Sequence, residues 1–178
     1  MIGAEWFMVV FRIVHIGAGV AWVGSLFLLV VYVQPSAAAI APAGAPFMAE
    51  LLGKRRTVDG IITAATISVV GGLVLYWRDW HDTGSFGDWI GTSFGATLTV
   101  GAVAAIVALA IGVFATRPNV VRLLALGRRA AEAAGSGAPD PAIAAEIGAI
   151  QQRLKIFART SLGLLVLSVL AMATARYL

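Results

Sequence analysis

Four long apolar runs dominate this sequence and leave few folds open to it. They lie at approximately Trp6–Val33, Val58–Trp77, Gly91–Thr116 and Phe157–Tyr177. Each reaches the roughly 20 residues that a helix needs to cross the hydrocarbon core of a bilayer, and none alternates strictly as barrel strands do. The runs predict an all-α integral membrane protein, a four-helix bundle made by one transmembrane domain over residues 1–178.

The composition of the chain favours lipid rather than water as its solvent. It is 60% hydrophobic and 12% charged, whereas about a quarter of the residues of a soluble domain are charged. The net charge of +4 comes from residues that flank the apolar runs, which is typical of a membrane surface rather than a nucleic-acid interface. The absence of cysteine excludes disulfides, thiolate nucleophiles and cysteine-based metal sites.

The basic residues are divided unequally between the two sides of the predicted membrane. The N-terminal side and the short loop between the second and third spans hold Arg12 and Arg78, and Arg176 ends the last span. By the positive-inside rule the richer side is cytoplasmic, so both termini are expected on the outer side of a bacterial inner membrane. The richer side carries Lys54, Arg55, Arg56, Arg117, Arg122, Arg128, Arg129, Arg153, Lys155 and Arg159.

The long polar segment at about 118–156 predicts a cytoplasmic helical hairpin between the third and fourth spans. Pro118 suits the first turn of a new helix, and Gly135–Pro139 has the composition of a turn. Asp140 followed by Pro141 is typical of a helix N-cap with proline at the first helical position. We expect the helix that begins there to run unbroken into the fourth span.

A histidine inside the first span is the strongest functional candidate, because polar groups in hydrocarbon are costly and need a reason. At 100° per residue, Arg12, His15, Gly19 and Trp22 share one helix face. A haem b group would use His15 as an axial ligand and Arg12 as the partner of a propionate. Gly19 would admit the edge of the macrocycle, and Trp22 would line its pocket. The alternative is structural: His15 bonds to a neighbouring helix and Arg12 extends to the surface.

Two other polar groups deserve a hypothesis. Asp59 lies one turn inside the second span, with Arg56 one turn earlier and Arg159 at the same depth on the fourth span. This placement predicts a structural ion pair, since a proton relay would need further acids in the other spans.

His81, with Asp79 and Asp82, forms an outward polar cluster that either binds a divalent metal or is simply solvated.

The first span reads His15-Ile-Gly-Ala-Gly-Val-Ala-Trp22-Val-Gly24-Ser25 and ends in Gln34-Pro35. This pattern resembles the first helix of the copper-resistance D-like and DUF2269-like small bacterial membrane proteins. It is also similar to the opening helix of HemJ-type protoporphyrinogen oxidases and of the membrane anchor of PuuD-type urate oxidases. The resemblance implies a four-helix bundle in which His15 and Trp22 occupy the motif positions, and in the HemJ-type relatives the histidine is tied to haem or porphyrin chemistry.

The resemblance does not extend to every feature of those relatives. The chain has no lysine within a span and lacks the additional histidines of the HemJ-type oxidases, and it has no outer segments rich in methionine and histidine. Three hypotheses follow: a haem- or porphyrin-binding protein, a non-catalytic accessory subunit or homo-oligomer, and a protein that handles or transports copper or another metal ion. The sequence alone does not indicate whether the protein is an enzyme.

Overall fold

The computed structural model describes residues 2–136 and 140–178, and regular structure in those ranges is helical throughout. This confirms the predicted all-α class. Three π-helical segments, at Leu29–Val33, Glu50–Lys54 and Ile111–Thr116, interrupt or precede the α-helices. The α-helices of the described ranges are α1 (Ile2–Leu28), α2 (Gln34–Ala39), α3 (Gly44–Ala49), α4 (Thr57–His81), α5 (Phe86–Gly91), α6 (Ser93–Ala110), α7 (Arg117–Gly135) and α8 (Pro141–Thr174).

Four continuous helical stretches are long and apolar enough to cross a membrane. They are Glu5–Ala39, Thr57–His81, Ser93–Gly135 and Pro141–Tyr177, with 35, 25, 43 and 37 residues. The apolar part of each stretch has a mean hydropathy between 1.9 and 2.5. The four predicted spans cover the apolar parts of these stretches, and the helices continue beyond them because polar residues outside the hydrocarbon extend a helix without penalty.

The long helices contact one another in a defined order. α1 lies along α4 and α6 lies along α8, while α4 also contacts α6 and α1 touches α8 over a shorter length. Small residues allow the close approaches: a Cβ at Gly101 of α6 would lie 3.2 Å from the Cβ of Ala171 on α8. The hydroxyl groups of Tyr76 on α4 and Thr99 on α6 lie 2.7 Å apart. Close packing and polar contacts of this kind hold helices together in lipid.

One buried cluster joins all four stretches. Trp22 of α1, Ala65 of α4, Ala108 of α6 and Leu165 of α8 are each no more than 5% exposed and pack together. Two of the three residues that pack with Trp22 are alanines, and their small side chains leave room for its large indole at the centre of the cluster. Most other large apolar side chains face outward, as expected where lipid replaces water.

Two of the π segments end two residues before a proline. Leu29–Val33 precedes Pro35, and Ile111–Thr116 precedes Pro118. Proline lacks an N–H, and its ring collides with the carbonyl one turn earlier in a regular α-helix. A wider turn, in which Gln34 N–H bonds to the Leu29 carbonyl, relieves that collision. The helix therefore continues past Val33, the predicted end of the first span, through α2 to Ala39.

The segment after the third span is helical, as predicted. α7 contacts α8, and Arg122 of α7 forms an ion pair with Glu146 of α8. The Asp140 carboxylate accepts a hydrogen bond of 2.8 Å from the Ala142 N–H at the start of α8. This confirms the predicted N-cap and the unbroken helix into the fourth span. Residues 137–139 of the predicted turn lie outside the described residues.

Candidate functional site

His15 lies where α1 meets α4, and Ser68 is its partner. The imidazole Nδ1 is 2.7 Å from the Ser68 carbonyl oxygen. In return the Ser68 hydroxyl donates a hydrogen bond of 3.1 Å to the His15 carbonyl. His15 is half-buried, and Ser68 is buried. The two residues thus connect the helices by a reciprocal pair of side-chain to backbone hydrogen bonds.

This geometry determines which nitrogen of the imidazole is protonated. A carbonyl oxygen only accepts hydrogen bonds, so Nδ1 of His15 must carry the hydrogen. In the neutral ring Nε2 then has a free lone pair. No hydrogen bond to Nε2 occurs within the described residues. Histidine ligands of metals characteristically donate their other N–H to a backbone carbonyl, which fixes the ring and raises its basicity.

Two adjacent glycines of α4 make room for the ring. A Cβ at Gly72 would lie 2.8 Å from Cε1 and 2.9 Å from Nδ1 of His15. A Cβ at Gly71 would lie 3.4 Å from the Cβ of His15. The imidazole therefore occupies space that any larger residue at position 72 would fill. Gly71, Gly72 and Ser68 form a receptacle for His15 on the surface of α4.

The structure does not place the other three predicted site residues, Arg12, Gly19 and Trp22, around a common pocket with His15. A Cβ at Gly19 would lie 3.1 Å from the Ser68 hydroxyl, so this glycine serves the contact between α1 and α4. Trp22 is 5% exposed in the four-helix core. Arg12 is exposed. Gly19 thus faces α4 and Trp22 packs in the core, and their ligand-lining roles stay a prediction.

Two cavities lie away from the histidine. Both are open apolar grooves between α6 and α8, of about 400 and 320 Å³. The first is bordered by Ala96 and Thr174, and the second by Val103 and Leu164. Neither is lined by His15. The donor chemistry at Nε2 fits an axial ligand of haem, whereas the described residues around it do not enclose a macrocycle.

The predicted ion pair exists with one different partner. Asp59 Oδ2 accepts from Arg56 Nε at 3.0 Å, and Oδ1 accepts from Arg117 Nε at 2.8 Å. Arg159, the expected third member, is exposed on α8 and does not reach Asp59. Arg117, the first residue of α7, lies beside the start of α4 directly after the π segment at Ile111–Thr116, a contact that depth along straight helices did not predict.

The outer polar cluster is dispersed in the structure. His81 is exposed and stacks on Trp77, with ring centroids 5.5 Å apart. Asp82 pairs with Arg78 at 3.3 Å. Among the described residues no three histidine or acidic side chains are placed to hold a metal ion together.

Sequence reasoning missed the receptacle on α4. None of Ser68, Gly71 and Gly72 stands out in the sequence, because serines and glycines recur throughout the apolar runs. The usable signal was their spacing, since Ser68 and Gly72 are four residues apart and so stack on one helix face. A polar residue beside glycine on such a face is suited to receive a large polar side chain from a neighbouring helix.

Comparisons with protein-family models, with curated proteins and with solved structures find no match to this chain. The fold and the hydropathy of its helices define the class: it is a multi-pass, all-helical membrane protein. The resemblance of its first helix to the copper-resistance D-like and HemJ-type proteins stays a prediction.

Proposed function

We propose that this chain binds haem b or a related porphyrin through Nε2 of His15. The observation that carries the proposal is the hydrogen bond from Nδ1 to the Ser68 carbonyl, which leaves Nε2 as a free donor atom in a fixed ring. An unprotonated imidazole nitrogen is the usual protein ligand of haem iron. The histidine lies within an apolar span, where an ionisable group is expected to have a function.

Different residues around His15 would bind different parts of the haem group. Ser68 and Gly72 position the imidazole, and Arg12, one turn nearer the N-terminus and exposed, supplies a positive charge for a propionate. Haem b, when bound, supplies one-electron redox chemistry. Because the described residues do not enclose a macrocycle, its outer surface would contact lipid, a second copy or another subunit.

The absorption spectrum of the protein, purified in detergent and supplemented with haem b, tests this proposal. We expect a Soret band whose position shows histidine ligation, and we expect His15→Ala to abolish it. His81→Ala is the matched control, since His81 is the other histidine of the chain and lies exposed beside Trp77. Absence of the band in the natural protein, or an equal band in His15→Ala, would overturn the proposal.

We further propose that the four stretches form a bundle in a bacterial inner membrane, with both termini outside and the α7–α8 hairpin in the cytoplasm. The excess of Lys and Arg in two loops supports this orientation. The chain has no cysteine, so single cysteines report position cleanly. An impermeant maleimide should label Thr83→Cys in intact spheroplasts and Ser136→Cys only after permeabilisation. The reverse pattern would invert the orientation.

An accessory subunit is the second candidate, and a row of small residues on α1 favours it. Gly17, Ala21 and Ser25 are exposed and spaced four residues apart, so they line one face of the helix. Small residues at this spacing allow another transmembrane helix to approach closely. A protein that purifies alone, monodisperse and with a bound chromophore would argue against this candidate.

A further inference from the structure

The start of α4 and the start of α7 form an unusual cluster in which one carboxylate holds two arginines. Each oxygen of Asp59 accepts a hydrogen bond from a different guanidinium, Arg56 on one side and Arg117 on the other. The two arginines come from separate parts of the chain, 61 positions apart in the sequence. Since both bind one carboxylate, their guanidinium groups are held close together.

The contacts leave most of the donor capacity of both arginines unused. In each case the carboxylate is bound through Nε. A guanidinium has five N–H groups, four of them on the terminal nitrogens. Within the described part of the chain those four make no hydrogen bond in either residue. The side chains of Arg56 and Arg117 are 71% and 52% exposed. Two positive charges against one negative charge leave the cluster positive.

A hydrogen bond and side-chain packing connect the surroundings of the Asp59 cluster to the rest of the protein. Arg56 adopts a left-handed backbone conformation with φ of 51°, which residues with a side chain rarely adopt. Thr57 donates its hydroxyl hydrogen to the Leu51 carbonyl at 2.7 Å, which ties the turn before α4 to the preceding segment. A Cβ at Gly53 would lie 3.6 Å from the Leu124 side chain of α7. The turn and α7 are therefore packed against each other beside the two arginines.

Nearby charges add to the positive potential at this end of the helices. Lys54 and Arg55 are exposed and share a single acidic partner, Glu50, at 2.9 and 3.5 Å. The hydrogen bond with Glu50 raises the pKa of Lys54. Two further basic groups thus neighbour the turn, with one carboxylate between them to offset part of their charge.

We propose that Arg56 and Arg117 form a binding site for the phosphate group of an anionic membrane phospholipid. Paired guanidinium groups with free N–H donors match the geometry of phosphate oxygens, which arginine binds in a bidentate manner. Asp59 acts as a positioning residue that holds the two like charges together before the lipid arrives. The cluster lies in the first turn of Thr57–His81 and follows the apolar part of Ser93–Gly135. That is the level of the helix ends, where lipid phosphates lie.

Lipid binding to the full chain in detergent tests the proposal, with native mass spectrometry as the readout. We expect phosphatidylglycerol to bind more tightly than phosphatidylcholine, and the double variant Arg56→Gln with Arg117→Gln to lower that affinity about ten-fold or more. Arg159→Gln is the matched control: it removes an exposed arginine that Asp59 does not hold, and should leave binding unchanged. Equal affinity for the two lipids, or an equal loss in the control, would overturn the site.

One further variant and one competition experiment complete the test. Arg117→Lys retains the charge but not the fork of donors, so phosphatidylglycerol binding should weaken while the melting temperature of the lipid-free protein stays within a few degrees. An unchanged affinity in that variant would argue against bidentate recognition. Inorganic phosphate added in place of lipid should not compete at millimolar concentration. Full competition would assign the site to a soluble phosphate and overturn the lipid assignment.

Discussion

His15 and Ser68 form a reciprocal pair across the contact between α1 and α4. The imidazole donates to the serine carbonyl at 2.7 Å, and the serine hydroxyl donates to the histidine carbonyl at 3.1 Å. Each side chain therefore donates a hydrogen bond to a backbone carbonyl oxygen of the other helix, so that both the side-chain donor and the backbone acceptor have a partner. The same pair also sets the tautomer of the histidine, so helix packing and ligand capacity depend on one arrangement.

Substitution of Gly72 should damage this arrangement in a specific way. A Cβ there would lie 2.8 Å from the imidazole, so Gly72→Ala is expected to destabilise the protein by about 1–3 kcal/mol and to weaken haem binding. Gly60→Ala on the same helix is the control. Nothing lies within 4 Å of its Cβ, and alanine favours a helix by up to about 1 kcal/mol. Unfolding in mixed detergent measures both, and similar effects of the two variants would contradict the geometry.

Trp22 should be the most sensitive large residue of α1. Its side chain is 5% exposed and contacts one residue from each of the other three long helices. We expect Trp22→Ala to lower the free energy of unfolding by roughly 3 kcal/mol, because the cavity cannot close from four sides. Val20, 67% exposed on the same helix, provides the control: Val20→Ala should change stability by about 0.5 kcal/mol or less. Equal losses would remove Trp22 from the core.

Disulfide trapping should report the contact between α6 and α8. The Cβ positions of residues 101 and 171 lie 3.2 Å apart, close to the separation that a disulfide requires. The double variant Gly101→Cys with Ala171→Cys is expected to form an intramolecular disulfide on mild oxidation, visible as a mobility shift on non-reducing gels. Gly101→Cys with Val169→Cys should not, since residue 169 is exposed on another face of α8. Efficient trapping of the second pair would contradict this packing.

The Asp59 cluster should give a salt-dependent contribution to stability. Asp59→Asn leaves two neighbouring arginines without their shared carboxylate, so we expect a loss of about 1 kcal/mol at low ionic strength. Salt screens exposed charges, so the loss should shrink in about 1 M salt. Asp82→Asn, which breaks a single pair with Arg78, should cost less in both conditions. A loss at Asp59 that is independent of salt would mean that the carboxylate acts through packing.

The sequence predicted the elements of the fold well because local chemistry specifies them. Apolar length identified the four stretches, and the Asp140–Pro141 pair located the start of α8 to the residue. Spacing at 100° per residue placed His15 and Gly19 on one face, and both do lie against α4. What such spacing cannot supply is the identity of the residues opposite: Ser68 of α4 faces Gly19, and Ala65, Ala108 and Leu165 pack with Trp22.

The partner of Asp59 was missed for a different reason. Depth in the membrane was estimated on straight α-helices, where Arg159 of the fourth span lies level with Asp59. Arg159 lies on α8, whereas Arg117 is the first residue of α7, which continues the third span through the π segment Ile111–Thr116. The Nε of Arg117 lies 2.8 Å from Oδ1 of Asp59, so the third span rather than the fourth supplies the second arginine. An estimate of depth alone does not show which helix lies beside the start of α4.

The two π segments before Pro35 and Pro118 also affect how the length of this chain can vary. A single added or lost residue in a regular span turns every later side chain away from its neighbour. Within Leu29–Val33 or Ile111–Thr116 the wider turn already holds one surplus residue, so the helix can absorb a change in count while the faces beyond keep their orientation. Insertions and deletions of one residue among related sequences should therefore concentrate at these two places.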